Sequence, residues 1–315
     1  MNAPSGSPWV GPALAVVGVL GFSFKAILIK LAYAWAPIDA VTLLALRMAY
    51  ATPFFALMAY FSSRRGRAAP IERGDRIRIL WLGFVGYYLA SLVDFMGLQY
   101  VTAALERLML YIYPTIVVVL SALFFKQPIT GRVVLALAVS YAGILLVFAR
   151  DLSFAGDPGG LWIGAALVFA GSFLYAVYLV GAGPVIARLG SARFIALAML
   201  ASAAFVFVQF LATRPLHALA APLRIQLLSL TMAIFSTVLP TYLIAEAIQR
   251  IGASRTSLLG SLGPVFTIWL GWVILGEPAH WIQLAGAALV LGGVALVTAG
   301  GAGARRLRRV AASDT

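Results

Sequence analysis

The chain contains one long stretch twice. Sliding the 315-residue sequence by 150 positions lays Gly97–Phe148 over Ala247–Thr298 without a gap. Gln99 then falls on Gln249, Ala103 on Ala253, Pro114 on Pro264, Pro128 on Pro278 and Gly143 on Gly293. The same shift matches Gly21 to Gly171 and Ala26 to Ala176. A shift one residue longer matches Ala45, Leu46 and Met48 to Ala196, Leu197 and Met199. Single matches mean little in a chain rich in Ala, Leu and Gly. A near-constant offset that also aligns two pairs of prolines reads as a tandem duplication.

Each copy is built from apolar runs. Runs of spanning length cover about 9–31, 39–61, 78–98, 101–125, 131–149, 159–181, 191–213, 223–247, 253–275 and 280–300, on the criterion of about 20 residues per membrane helix. They show no alternation of the kind a membrane strand needs. Hydrophobic residues make up 63% of the chain and charged residues 10%, against roughly a quarter charged in soluble domains. The fold class is therefore an all-α membrane protein of ten transmembrane helices. Residues 1–150 form the first five-helix repeat and 151–300 the second, followed by a basic tail over 301–315.

Five is an odd number, so the second copy crosses the membrane in the opposite sense to the first. Inverted repeats of this kind meet at a pseudo-two-fold axis, with a substrate site near the midplane. The net charge of +13 is a topology signal and not a nucleic-acid footprint, because the basic residues sit in short loops. Arg64, Arg65, Arg67, Arg73, Arg76, Arg78, Lys126, Arg132, Arg188, Arg193, Arg250, Arg255 and the Arg305–Arg309 group fall on one side. Lys30, Arg107, Arg150, Arg214 and Arg224 fall on the other. Both termini are expected in the cytoplasm and the protein in the cytoplasmic (inner) membrane. Met1–Pro8 carries no basic n-region, so the first run is read as a retained span.

Ionised groups inside spans are expensive and usually face a cavity or one another. Lys25 is the deepest, with Asp94 late in the third run and Glu106 and Arg107 early in the fourth. Lys25 has two readings, a contact for a substrate carboxylate or an ion pair with Asp94 or Glu106. Arg47 and Lys30 read as interface anchors, and Glu246 as a span-end charge. Phe84, Tyr87, Tyr88, Ser91 and Asp94 recur at three and four, on one helix face. The 150-residue shift sets Thr237 against Tyr87 and Thr241 against Ser91. Ser172, Tyr175 and Tyr178 form a similar face in the sixth run, with Tyr175 the counterpart of Lys25. Such stripes suit a shared cavity of rings and hydroxyls; they also suit plain helix–helix hydrogen bonding.

Tyr111 and Tyr113 flank the approach to Pro114, and Ser257 and Ser261 precede Pro264. A mid-span proline frees a carbonyl one turn back. The two prolines read as paired hinges or as static kinks. The predicted cavity thus comprises Lys25, Tyr87, Tyr88, Ser91, Asp94, Glu106, Tyr111, Tyr113, Ser172, Tyr175, Tyr178, Thr237, Thr241, Ser257 and Ser261, with Pro114 and Pro264 as hinges.

The chain resembles the EamA-type branch of the drug/metabolite transporter superfamily. The likeness rests on two copies of five spans, the Gly276-Glu277-Pro278 turn with Gln127-Pro128 at the matching place, Arg47 in Leu46-Arg47-Met48, and Lys30. Within that branch the chain is similar to aromatic amino-acid exporters. The resemblance implies export of amino acids and related metabolites without ATP, and no catalytic residues.

Rival readings are a drug or nucleotide-sugar transporter of the same architecture, and an intramembrane hydrolase using Ser261. Neither His217 nor His280 lies within a span to serve that serine as base. No Gly-x4-Gly-Lys loop is present, so no ATPase activity and no ATPase subunit are expected. No metal-ligand spacing appears, the chain has no Cys, and no cofactor is expected. The expected partners are a small-molecule substrate and the lipid bilayer, with no nucleic acid. Gly286, Ala288, Gly292 and Gly293 in the last run suit close packing, within a monomer or a weak homodimer.

Overall fold

The computed structural model describes residues 9–64, 70–125 and 129–296. The Lys126-Gln127-Pro128 turn, the 301–315 tail and the side chain of Ser257 lie outside the described residues.

Among the described residues every regular element is a helix. Eight are long and apolar enough to cross a membrane: α1 Val10–Trp35, α2 Ala40–Arg64, α3 Arg73–Gly97, α4 Ala103–Phe124, α5 Gly131–Ser153, α6 Pro158–Leu189, α7 Ser191–Thr213 and α8 Leu223–Ile248. Shorter helices follow: α9 Ala253–Gly260, α10 Gly263–Leu275 and α11 Trp281–Leu296. The ninth predicted run is thus broken in two, and the described part of the tenth is helical over Trp281–Leu296. Rings and aliphatic chains such as Trp162, Leu145 and Trp272 point outward, as lipid requires and water does not.

Local chemistry sets the boundaries. Asp157 caps α6 by accepting from Gly160 N at 2.9 Å, with Pro158 in the first turn, where a missing N–H costs nothing. α6 then runs on past the predicted boundary to Gly190, whose φ of +82° suits only a residue without a Cβ and lets α7 begin at once.

Helix pairings obey the 150-residue shift. α1 packs along α8 and α3 along α6; α1 also meets α10 as α6 meets α4, and α2 lies against α7. Gly21 of α1 approaches Phe235 O of α8, and Gly171 of α6 approaches Ala90 O of α3. Along the α5–α11 seam, Ser140 Oγ lies 3.5 Å from Val290 O, a pair separated by the repeat distance itself. One apolar core fills the space among α1, α2, α3, α7 and α8; another lies among α4, α5, α6 and α11.

The backbone irregularities repeat as well. α3 carries a π-helical segment at Phe84–Leu89 and α8 one at Ile234–Val238. In α8 the cause is at hand, since Pro240 has no N–H to give the carbonyl four residues back; α3 has Ala90 there and reaches the same winding without it. α4 is interrupted at Tyr111-Ile112, and the α9–α10 break falls at Ser261-Leu262, 150 residues on.

Candidate functional site

The breaks in α4 and between α9 and α10 are the frame of the site. Pro114 and Pro264 stand at these breaks. Each sits in the first turn of a resumed helix, where its fixed φ is favourable. What each frees is the carbonyl four residues back, Leu110 O and Gly260 O. Both are claimed by hydroxyls. Ser172 Oγ donates to Leu110 O at 3.2 Å. Tyr111 Oη donates to Gly260 O, so one break is tied to the other. A Cβ on Gly263 would collide with the Tyr111 hydroxyl.

Beside the breaks lies a buried charge cluster. Lys25 Nζ donates to Asp94 Oδ2 at 2.6 Å and stands 3.3 Å from Glu106 Oε1. Of the two readings of Lys25, the ion pair is the one formed, and it is a pair with both carboxylates. Glu106 is fully buried and Asp94 nearly so. Arg107 Nη2 reaches Ser23 Oγ at 3.4 Å, and its guanidinium lies 5.3 Å from the centre of the Tyr111 ring. Ser23 Oγ itself lies 2.9 Å from Val19 O and 3.1 Å from Gly263 O, two acceptors for its one proton, which sets the charges beside the second break.

A tyrosine cluster adjoins these groups. Tyr87 and Tyr178 share a hydrogen bond of 2.9 Å between their hydroxyls. Tyr178 stacks on Tyr175 at 5.5 Å, and Tyr113 meets Tyr175 edge-on at 5.2 Å. Tyr87 lies in the π segment of α3, and a Cβ on Gly86 would fall inside the Tyr178 ring. The extra residue of a π turn shifts the side chains after it around the helix, which explains why these segments occur at functional positions. Tyr88 stands apart, packed with Phe84 and Phe205.

Several predicted residues behave otherwise. Thr237 Oγ1 turns back to Met232 O and Thr241 Oγ1 to Thr237 O, both within their own helix. Ser261 is half-buried at the second break. Arg47 is not an interface anchor: it is 5% exposed, lies over the Phe95 ring at 4.8 Å and donates to Ser91 Oγ at 3.3 Å.

Lys30 is likewise no free anchor. Its Nζ donates to Val101 O at 2.7 Å and stands 3.4 Å from Glu277 Oε1. Glu277, from the turn after α10, accepts the Ala103 N–H at 3.1 Å with both oxygens. An acidic group at that helix N-terminus also meets the positive end of the α4 dipole. One carboxylate therefore fastens α1, α4 and the end of α10 together. On α6 and the start of α3, at the other end of the bundle, Arg188 pairs with Glu72 and Asp75. A cavity of about 340 Å³ opens beside the Glu277 seam, lined by Thr102, Asp151, Asp157 and Pro278 among others; it includes none of the predicted cavity residues.

Membrane helices with interior ion pairs, paired helix breaks and rings gathered around them define a multi-pass membrane protein of the solute-transporter class. The chain belongs to the EamA-like transporter family, which it matches over residues 9–149 and 162–299. It is 31% identical over 299 residues to an uncharacterized transporter, YcbK, of Bacillus subtilis, covering 92% of each chain. A shorter stretch of 56 residues, 18% of this chain and 19% of the relative, is 39% identical to a probable terminal-alkyne amino-acid exporter of Streptantibioticus cattleyicolor. The fold is similar to that of a crystal structure with a TM-score of 0.61 at 21% identity, covering 96% of this chain and 99% of the other.

Proposed function

We propose that the protein is a secondary transporter of ten membrane helices, two inverted repeats of five. It exports small organic metabolites, aromatic or hydrophobic amino acids foremost, across the cytoplasmic membrane by alternating access. Both termini lie in the cytoplasm. The carrying observation is the recurrence of helix break and π segment at a fixed offset of 150 residues around one polar interior. Inverted halves give alternating access because an asymmetry in one state is exchanged between the halves in the other. The tyrosine cluster offers faces for an apolar side chain and hydroxyls for a polar end. The amino-acid assignment is also supported by the short matching stretch in the Streptantibioticus relative.

The test is flux of radiolabelled amino acids into liposomes holding the purified protein, with and without a proton gradient. Saturable uptake above that of empty liposomes is the expected result. Flux of other metabolites with none of amino acids would keep the transporter and discard the substrate class.

A further inference from the structure

Several interior and end-of-helix cations of this protein have a carboxylate. Lys25 has Asp94 and Glu106, Lys30 has Glu277, Arg150 has Asp151, Arg188 has Glu72 and Asp75, and Arg214 has Asp39. Two buried arginines have none within 4.0 Å among the described residues: Arg47 and Arg107. At formal charges, Lys25, Arg47 and Arg107 against Asp94 and Glu106 leave one positive charge in excess in the interior. A buried charge without a counter-ion is costly by several kcal/mol, and a transporter interior is a place where a passing anion supplies it.

Of the two, Arg47 is the better receptor. Arg107 faces Ser23 and the Tyr111 ring, inside the network that ties the helix breaks. Both arginines keep a buried Nε with no hydrogen-bond partner, but Arg47 stands outside that network. Its other polar contacts are weak, Ser91 Oγ at 3.3 Å and Met48 Sδ at 3.9 Å. Its guanidinium plane is fixed against Phe95 at 4.8 Å, which presets the fork for bidentate recognition. Ser91 follows Tyr87 by four residues and Tyr88 by three on α3, so an anion there has aromatic rings about one helical turn away.

We infer that Arg47, with Ser91, is the subsite for the carboxylate of the substrate, while Lys25 is held in an internal ion pair. This rests on the transport reading above and assigns the charged end of the substrate within it. The acid end is recognised by two guanidinium N–H groups and the Ser91 hydroxyl. A carboxamide of the same shape presents only one acceptor oxygen and no charge, and is rejected.

The experiment uses the purified full chain in detergent and reads thermal unfolding, which requires no flux. The probes are phenylacetate, phenylacetamide and chloride. The expected result is a saturable rise in Tm with phenylacetate and a preference of about tenfold or more over the amide, as hydrogen bonds to a charged group imply. The rise disappears in Arg47→Gln and weakens in Ser91→Ala. Equal shifts from acid and amide in the wild type overturn the subsite, whether or not Arg47→Gln folds. So does an unchanged acid shift in folded Arg47→Gln, or a chloride shift that matches that of the acid. The liposome assay judges the other reading separately: an acid-specific shift with no flux of any solute removes transport and keeps the subsite.

Discussion

The hydroxyl of Tyr111 donates its hydrogen bond to the backbone carbonyl of Gly260. That carbonyl is free because Pro264 has no N–H to give it. Tyr111 belongs to the break in α4, and Gly260 to the break 150 residues later, so one side chain couples the two interruptions. The opposite carbonyl, Leu110 O, takes Ser172.

Removing the Tyr111 hydroxyl takes from the half-buried Gly260 O its side-chain donor. Tyr111→Phe is expected to lose about 1–3 kcal/mol of stability and to slow turnover more than it weakens substrate binding. Denaturation and flux of the same preparation check this; unchanged turnover would make the bond a static one.

The Lys25 cluster makes a different demand. Lys25→Met leaves Asp94 and Glu106 side by side without their cation, at a cost of about 3–5 kcal/mol. Adding Asp94→Asn and Glu106→Gln to it removes the charges together and is expected to restore most of the Tm. A triple variant no more stable than Lys25→Met would show that the ion pairs are not what the single change disrupts.

Glu277 holds α1, α4 and the end of α10 at one place, so weakening it should loosen that end first. The chain has no cysteine of its own, and a single Ser91→Cys reports on access. Labelling of that cysteine by a hydrophilic maleimide is predicted to speed up several-fold in Glu277→Gln. An unaltered rate would mean that the seam does not control entry.

Asp39, in the turn between α1 and α2, gives a pH prediction. Partial burial raises its carboxyl, but bonds from Thr42 and the Arg214 guanidinium outweigh that and hold it below the ordinary carboxylate value. Its stabilising contribution is present above the unfolded value, about 3.9, and is lost as pH falls through the lower folded value. The acid-side fall in Tm should therefore be shallower in Arg214→Gln than in the wild type. Identical acid limbs would exclude this pair as a source.

The duplication pointed to where the structure changes its winding. Pro114 and Pro264 marked the breaks; of the stripe from Phe84 to Ser91, Tyr87 meets Tyr178, while Phe84 and Tyr88 pack on Phe205. The charges of Lys25, Asp94, Glu106 and Arg107 stood out in the sequence because ionised groups inside spans need partners, but which of them pair with Lys25 was not legible. Other features had no such signal. The π segment of α3 contains no proline to announce it, and Tyr111 reaches Gly260 only because of how the two breaks dock. Arg47 reads as a span-end cation by its position alone; its burial follows from the packing of α2 on α7 and of Phe95 beneath it. The hydroxyls of the polar stripe of α8 are satisfied within their own helix, since Thr can bond a carbonyl four or five residues back, and the sequence does not show that.

The most direct test of alternating access is flux through a protein whose Glu277 seam is held shut. Lys30→Cys with Glu277→Cys, joined by a short bismaleimide, fastens α1 to the end of α10. The account predicts that cross-linking abolishes saturable flux in liposomes while the unlinked double variant still transports. Equal flux before and after complete cross-linking would contradict it, because substrate would then be crossing without that end ever opening.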